Sequence, residues 1–272
     1  MFEQEILYSH VKDLNQMDQI VQLQRNIWKD SATPLTQLVA AIHNGGVVIT
    51  ATRGQEIIGF CYGFPGYKDG QNYVVSHMLG IHPDYRDQGI GMKLKWKQRK
   101  WALEYGYKKI VWTFDPLESR NAFLNLCKLG GYVQTYIENY YGNLADGLNE
   151  GLPTDRFLLE WDLDSIKAVQ AAEGFTYPIN QETPILLDAR LENSQLPIPI
   201  KNEIDEEAEA YFVAIPSAIH VIKQSAPLVA SKWRFQVRET IQSLFTKGYV
   251  VQAVNKTQNQ PYHYYVLEKR ER

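Results

Sequence analysis

Apolar residues recur with two different periods along the first 164 positions, and the switches between periods mark out the elements. Ile6 to Val11 alternates as a strand does, and Asp13 then opens a helix carrying Leu14, Met17, Ile20, Val21, Leu23 and Ile27 at helical spacing. Pro34 starts a second helix, with Leu35, Leu38, Val39 and Ile42 on one face, and Gly45-Gly46 stops it. Val47 to Thr52 and Glu56 to Tyr62 alternate around Arg53-Gly54-Gln55, a hairpin pattern. A loop containing Pro65-Gly66 leads to an apolar central strand, Tyr73 to Ile81, followed by a glycine-bearing turn and a basic helix to Tyr105. Lys109 to Thr113 is the next strand, broken by Asp115-Pro116. Ser119 caps a helix to Lys128 that Gly130-Gly131 ends, and Tyr132 to Tyr140 and Arg156 to Trp161 complete the set. The predicted order is β-α-α-β-β-β-α-β-α-β-β.

From about 165 onward the pattern is weaker. Leu191 to Lys201 reads as a linker, and the acidic stretch Glu203 to Glu209 as a solvated segment. Ala210 to Ile215 reads as a strand ending at Pro216. A helix from Trp233 to Lys247 stops at Gly248, and Tyr249 to Val254 and His263 to Glu268 read as two more strands. This strand–helix–Gly–strand–strand order repeats that of 109–161, and LNLCKLGGYVQ (Leu124 to Gln134) resembles IQSLFTKGYVV (Ile241 to Val251).

Composition narrows the class. With 272 residues, 44% hydrophobic and 22% charged, the chain holds enough apolar matter for one large or two modest domains. A net charge of −3 gives no global field for nucleic acid or an anionic membrane, so neither is expected as a partner. Two cysteines, Cys61 and Cys127, make no disulfide framework, and MFEQEILYSH has neither the basic nor the apolar region of a signal peptide. No apolar run approaches the ~20 residues of a membrane helix, and a cytoplasmic protein is expected. The six histidines are scattered without zinc spacing, so no metal is expected.

The candidate chemistry lies in Arg86-Asp87-Gln88-Gly89-Ile90-Gly91, between the central strand and the basic helix. Successive backbone N–H groups in such a turn, reinforced by the helix dipole, form an anion cradle, and a Cβ at Gly89 or Gly91 would hold a diphosphate away from it. Gly91 is followed by Met92-Lys93-Leu94, which excludes the P-loop, and no G-x-G-x-x-G opens a dinucleotide-binding unit. The lysines that follow read as a solvated helix face, with only Lys93 and Lys95 near a phosphate.

The pattern [Q/R]-x-x-G-x-[G/A], here Arg86, Gly89 and Gly91 within LGIHPDYRDQGIGMKLK (Leu79 to Lys95), resembles the pyrophosphate motif of the GNAT superfamily of acyl-CoA N-acyltransferases. The element order is also that of a whole GNAT domain, so the resemblance covers residues 1 to about 164. It implies an α/β GNAT fold, a mixed central sheet flanked by helices. Residues 165–272 then form a smaller α/β extension, read either as a degenerate half-GNAT copy or as a generic addition.

The same resemblance implies acetyl-CoA or another acyl-CoA as donor and direct attack by an amine on the thioester. The donor is expected along Leu79, Gly80 and Ile81, with the Leu79 N–H as an oxyanion donor, and its diphosphate on Arg86, Asp87, Gln88, Gly89, Ile90 and Gly91. Asn121 matches the family's asparagine near the CoA sulfur. His77, nine residues before Arg86, stands where some members carry a catalytic histidine and is the candidate base, with a buried core histidine as the alternative. His82, before Pro83, reads as structural.

Many members place a tyrosine acid four residues before a Gly-aromatic pair; here that position is Cys127, read as packed. Tyr140, Tyr141 or solvent are the remaining sources of the proton. The loop between the last two strands, with Asn143, Asp146, Asn149, Gly151 and Asp155, is where the family shapes its acceptor pocket, and Arg156 is either a carboxylate clamp or an ion-pair partner. This block and the motif together resemble a GNAT subgroup with a C-terminal extension, some of whose relatives are thought to N-succinylate amino acids. The expected function is acyl transfer, acetyl or succinyl, to a small-molecule amine such as an amino acid. A protein N-acetyltransferase and a non-catalytic acyl-CoA-binding regulatory module are the alternatives, and a homodimer is left open.

Overall fold

The computed structural model describes residues 5–11, 13–29, 32–142, 152–192, 196–203 and 208–270. Close contacts divide the chain into two units, Met1–Trp112 with Trp161–Ser165, and Thr113–Glu160 with Ile166–Arg272.

In the first unit β1 (Ile6–His10), β2 (Val47–Arg53), β3 (Glu56–Lys68), β4 (Gln71–Ile81) and the start of β5 (Lys109–Phe114) lie side by side in chain order. Neighbours are antiparallel except β4 and β5, which are parallel. Helices α1 (Leu14–Trp28) and α2 (Leu35–His43) contribute Met17, Ile20, Val21, Leu23 and Leu38 to a core with Val48, Ile57, Phe60 and Tyr62. A second core joins Val47, Ile49, Ala51, Ile58 and Cys61 to Ile90 and Leu94 of α3 (Ile90–Tyr105). Alternation along β2 therefore feeds the two cores in turn. Asp13 caps α1, its carboxylate accepting the Gln16 N–H at 2.8 Å.

Pro65-Gly66 is not in a loop: both lie inside β3, opposite Val74 and Tyr73, and the turn falls at Asp69-Gly70. Cross-strand pairing with β4 overrides the local breaker signal there.

The second unit orders its strands β7-β6-β11-β12-β10-β8-β9, where β6 is Tyr132–Ile137, β7 Arg156–Asp162, β8 Ile185–Glu192, β9 Leu196–Lys201, β10 Ala210–Pro216, β11 Tyr249–Asn255 and β12 Tyr262–Lys269. Its helices are α4 (Ser119–Phe123), which continues as one π-helical turn over Leu124–Lys128, α5 (Ile166–Ala172), α6 (Ile219–Ser225) and α7 (Pro227–Thr246). Ala230, Trp233, Arg234, Val237, Ile241 and Leu244 form the buried stripe of α7. That helix starts at Pro227, a favoured first position, six residues ahead of the predicted Trp233.

The predicted linker 191–201 is instead the end of β8 and the whole of β9, with Leu191 opposite Pro197 and Ala189 opposite Pro199. As the last strand in the order, β9 tolerates prolines that lack an N–H. The Pro197 carbonyl accepts the Trp233 indole N–H at 2.8 Å. Residues 204–207 of the acidic stretch lie outside the described residues. Ala210–Lys269 runs β10-α6-α7-β11-β12, with β12 between β10 and β11. Ser119 does not cap α4: Glu118 holds that position, and the Ser119 hydroxyl donates to the Ser217 carbonyl at 2.8 Å.

Candidate active site

Strand β4 is the base of the site. Its pairing with β5 is confined, among the described residues, to Val74 with Ile110 and Val75 with Val111. Beyond Val75 the β4 edge toward β5 carries no ladder as far as Ile81, so backbone groups there are available to a ligand. On its other edge β4 pairs with β3 along its whole length, except for one bulge. Tyr62 lies opposite Met78 and Gly63 opposite Ser76, so His77 between them has no opposite residue.

His77 is exposed rather than buried, flanked by Tyr62 (ring centroids 5.9 Å apart) and Phe64 (5.6 Å). Partial burial beside these rings holds its pKa below the usual histidine range. The imidazole is therefore neutral at physiological pH and able to accept a proton. Leu79 packs toward α3, its Cδ2 3.5 Å from where a Cβ on Gly91 would sit. Gly80 owes its identity to packing, since a Cβ there would come within 2.7 Å of Phe60 and 2.9 Å of Trp28.

After β4, His82 and a single 3-10 turn, Pro83–Tyr85, redirect the chain into the motif. The His82 Nδ1 accepts the Asp84 N–H at 3.4 Å, a structural role as its sequence position implied. Arg86 donates from Nε to the Ile81 carbonyl at 3.4 Å and is otherwise exposed, like Asp87, Gln88 and Gly89. Asp87 and Gly89 both have left-handed backbone (φ +67° and +74°), and a Cβ on Gly89 would meet nothing within 4 Å. Gly89 caps α3 without any side-chain hydrogen bond, and Ile90 anchors the helix start in the core at 2% exposure. The open concave turn, the uncapped helix N-terminus and the exposed Arg86 together suit a diphosphate.

One expectation is corrected. Lys95 does not reach toward a phosphate; it is 3% exposed, on the inward face of α3 with Ile90, Leu94, Gln98 and Ala102. Spacing from Ile90 could have shown this, because 90, 94, 98 and 102 recur at four and 95 lies beside them.

The other candidates belong to the second unit. Asn121 is exposed on α4. Tyr140 and Tyr141 expose about half their surface (48% and 46%) and pack edge to face at 4.7 Å. Their backbone N–H groups donate to the Thr154 carbonyl and to Thr154 Oγ1, both at 3.0 Å. Asn143, with Asp146, Asn149 and Gly151, lies outside the described residues. Arg156 is engaged: Nη1 donates to the Asp155 carbonyl at 2.9 Å and stands 3.9 Å from the Asp115 carboxylate, with its guanidinium 5.2 Å from the Tyr141 ring. Cys127 is packed as expected, its sulfur accepting the Val254 N–H at 3.2 Å, and burial raises its pKa.

Two buried charge pairs were not foreseen as pairs, and Asp155, expected in the loop that shapes the acceptor pocket, is instead the buried partner of Tyr136 and Arg238. Asp155, fully buried, accepts from Tyr136 (2.6 Å) and from two Arg238 nitrogens (2.8 and 2.7 Å). Arg234, 1% exposed, donates to Asp115 at 2.6 Å. Burial pushes the Asp115 carboxyl up, but the Arg234 charge and hydrogen bond outweigh it and hold it below the usual range.

The acetyltransferase (GNAT) family model matches residues 14–130, the stretch that holds α1 to α4, β4 and the motif turn. Through that stretch the chain is similar to a GNAT acetyltransferase domain, which supports reading it as an acyl-CoA-dependent N-acyltransferase. No curated protein matches the chain in sequence.

Among solved structures, Naa50 from Arabidopsis thaliana, in complex with the bisubstrate analogue CoA-Ac-MVNAL, is 20% identical at TM-score 0.46 over 57% of this chain and 97% of its own. The ribosomal-protein-S18-alanine N-acetyltransferase from Escherichia coli is 12% identical at 0.48, over 59% and 96%. The Salmonella typhimurium protein yncA, with its cofactor acetyl-CoA, is 16% identical at 0.48, over 59% and 95%. None of these scores reaches 0.5, and no property of this chain rests on them. No helix among the described residues is long and apolar enough to cross a membrane.

Proposed function

We propose that the protein transfers an acyl group, acetyl or succinyl, from acyl-CoA to the primary amine of a small molecule such as an amino acid. The observation that carries the donor half of this reading is the unpaired edge of β4 running into the open Asp87–Gly91 turn. A pantetheine arm can pair with the free edge while the diphosphate takes the turn's N–H groups.

In the reaction the amine nitrogen attacks the thioester carbonyl carbon and a C–N bond forms. His77 takes the ammonium proton, and the Leu79 N–H stabilises the oxyanion. The C–S bond then breaks, and the thiolate is protonated by Tyr140, Tyr141 or solvent. Arg156 receives an acceptor carboxylate with its remaining N–H groups. Asn121 serves the donor near its sulfur, and residues 165–272 are a half-copy of the catalytic fold without a phosphate turn of its own. The cytoplasm, where acyl-CoA is plentiful, is the compartment this chemistry fits.

Calorimetric titration with acetyl-CoA, succinyl-CoA and free CoA tests the donor. Preference for one thioester fixes the acyl group, and amino acids are then screened as acceptors by thiol release. No binding to any of the three ends the reading. Transfer only to peptide N-termini replaces the small-molecule acceptor with a protein.

A further inference from the structure

Lys95 sits in a built polar seat that the reaction as described does not use. Its Nζ donates to Ser76 Oγ at 2.8 Å and to Gln98 Oε1 at 3.0 Å, and Ser76 Oγ donates to the same Gln98 oxygen at 2.8 Å. The nitrogen also stands 3.4 Å from the centroid of the Trp112 ring, with Trp161 at 5.7 Å. Gly63 of β3 makes the room, because a Cβ there would come within 2.9 Å of Gln98 Nε2.

Burying an ammonium without a counter-ion is costly, and among the described residues no carboxylate faces this one. The ionisable group acting on it is the Cys61 thiol of β3, which burial pushes up to about 12 and so keeps neutral. Ser76 and Gln98 are uncharged, as are Trp112 and Trp161. Three N–H groups of an ammonium find three acceptors here: a hydroxyl oxygen, an amide oxygen and an indole face. A neutral amine has only two N–H groups and would turn its lone pair on one of those acceptors. The seat thus suits the charged form, while burial pulls the lysine down to about 7.

The location connects the seat to the donor cleft. Val75 and Val111 are the last pair joining β4 to β5. Ser76 and Trp112 are the next residue on each strand, and Ser76 immediately precedes the unopposed His77.

We propose that Lys95 is a positioning residue for the acyl-CoA cleft. As an ammonium it ties Ser76 of β4 to Trp112 of β5 and holds the two strands at the spacing the pantetheine arm needs; as a neutral amine it lets go of Trp112 and the spacing relaxes. This rests on the reading above that acyl-CoA lies along the free edge of β4.

Acetyl-CoA binding is measured by calorimetry from pH 6 to 9 on the whole protein, on Lys95→Met and on Trp112→Leu. The parent affinity falls with rising pH on the order of tenfold more than that of Lys95→Met, in which the ionisations of the ligand and of the other cleft groups, His77 among them, remain as a common background. Trp112→Leu, lacking the ring that favours the cation, moves the inflection to lower pH. Equal profiles for the parent and Lys95→Met, with binding retained, overturn the proposal and leave the donor site standing. No binding by the parent at any pH overturns both. Carbon NMR of ε-labelled lysine in the parent protein needs no variant. A Lys95 resonance, recognised by its contact with the Trp112 ring, that titrates near pH 7 supports the proposal, and one that titrates above pH 9 overturns it.

Discussion

At Gly89 the backbone takes φ of +74° next to open space, the two conditions a phosphate-cradling residue must meet. A β-branched side chain is strained in that conformation and would occupy the cradle. Gly89→Val is expected to lower CoA affinity on the order of 100-fold or more, read by calorimetry. Gly91 has no such conformational need, and a Cβ there would make only ordinary contact with Leu79, 3.5 Å away. His77 lies on the strand where it was expected, yet as an exposed bulge residue rather than a core one. His77→Ala is expected to cut turnover by roughly 10²–10⁴-fold and leave CoA affinity unchanged. The sign of its pH effect follows from the lowered pKa. In the parent, kcat/KM falls as pH drops through a value below the ordinary histidine pKa and the base becomes protonated. In the variant that limb is absent. An unaltered acid limb in His77→Ala would remove the histidine from the mechanism.

Strand β4 shows how one element can be anchored along one edge and open along the other. One edge is paired with β3 throughout apart from the bulge, the other with β5 only at Val74 and Val75, so it is anchored and available together. Gly80 serves the anchoring side. Its missing Cβ admits Phe60, Trp28 and Ile27 of the α1 core. Gly80→Ala is expected to cost about 1–3 kcal/mol by overpacking, seen as a lower urea midpoint, with acetyl-CoA affinity per folded molecule retained. Loss of affinity without loss of stability would instead assign Gly80 to the ligand. Helix α3 was legible as an element, and its inward face could be read from spacing alone. That Lys95 falls on this face beside three apolar residues is unfavourable by composition, and it becomes intelligible only with Ser76, Gln98 and Trp112 around it.

Over the whole molecule the second unit unites Thr113–Glu160 with Ile166–Arg272. Asp115 is paired with Arg234, Asp155 with Arg238, the Pro116 carbonyl with the Tyr265 hydroxyl and Cys127 with Val254. Deleting residues 165–272 removes a partner from each and uncovers Phe157, which packs on Phe245 and Tyr265. A buried carboxylate left without its arginine costs roughly 3–5 kcal/mol. The fragment 1–164 is therefore expected to aggregate or to lose its cooperative unfolding transition. A stable, acyl-CoA-binding fragment would show that the extension is dispensable.

Most elements up to residue 164 and the glycine turn after β4 could be read from the sequence because each is encoded by contiguous residues, whereas the course of Pro65-Gly66 inside β3 could not. A capping aspartate, a helical stripe and an alternating strand each act within one element, and the turn needs only its own glycine and the helix that follows. What the tertiary structure decided involves residues distant in sequence. Pro197 and Pro199 form a strand because that strand ends its sheet. His77 is unopposed because β3 supplies one residue fewer across from it. Lys95 finds a seat in the interior because Gly63, Ser76 and Trp112 converge on it from three strands. Such pairings are set by register and packing, which depend on the whole chain's burial of apolar surface and leave no mark in any single stretch of it.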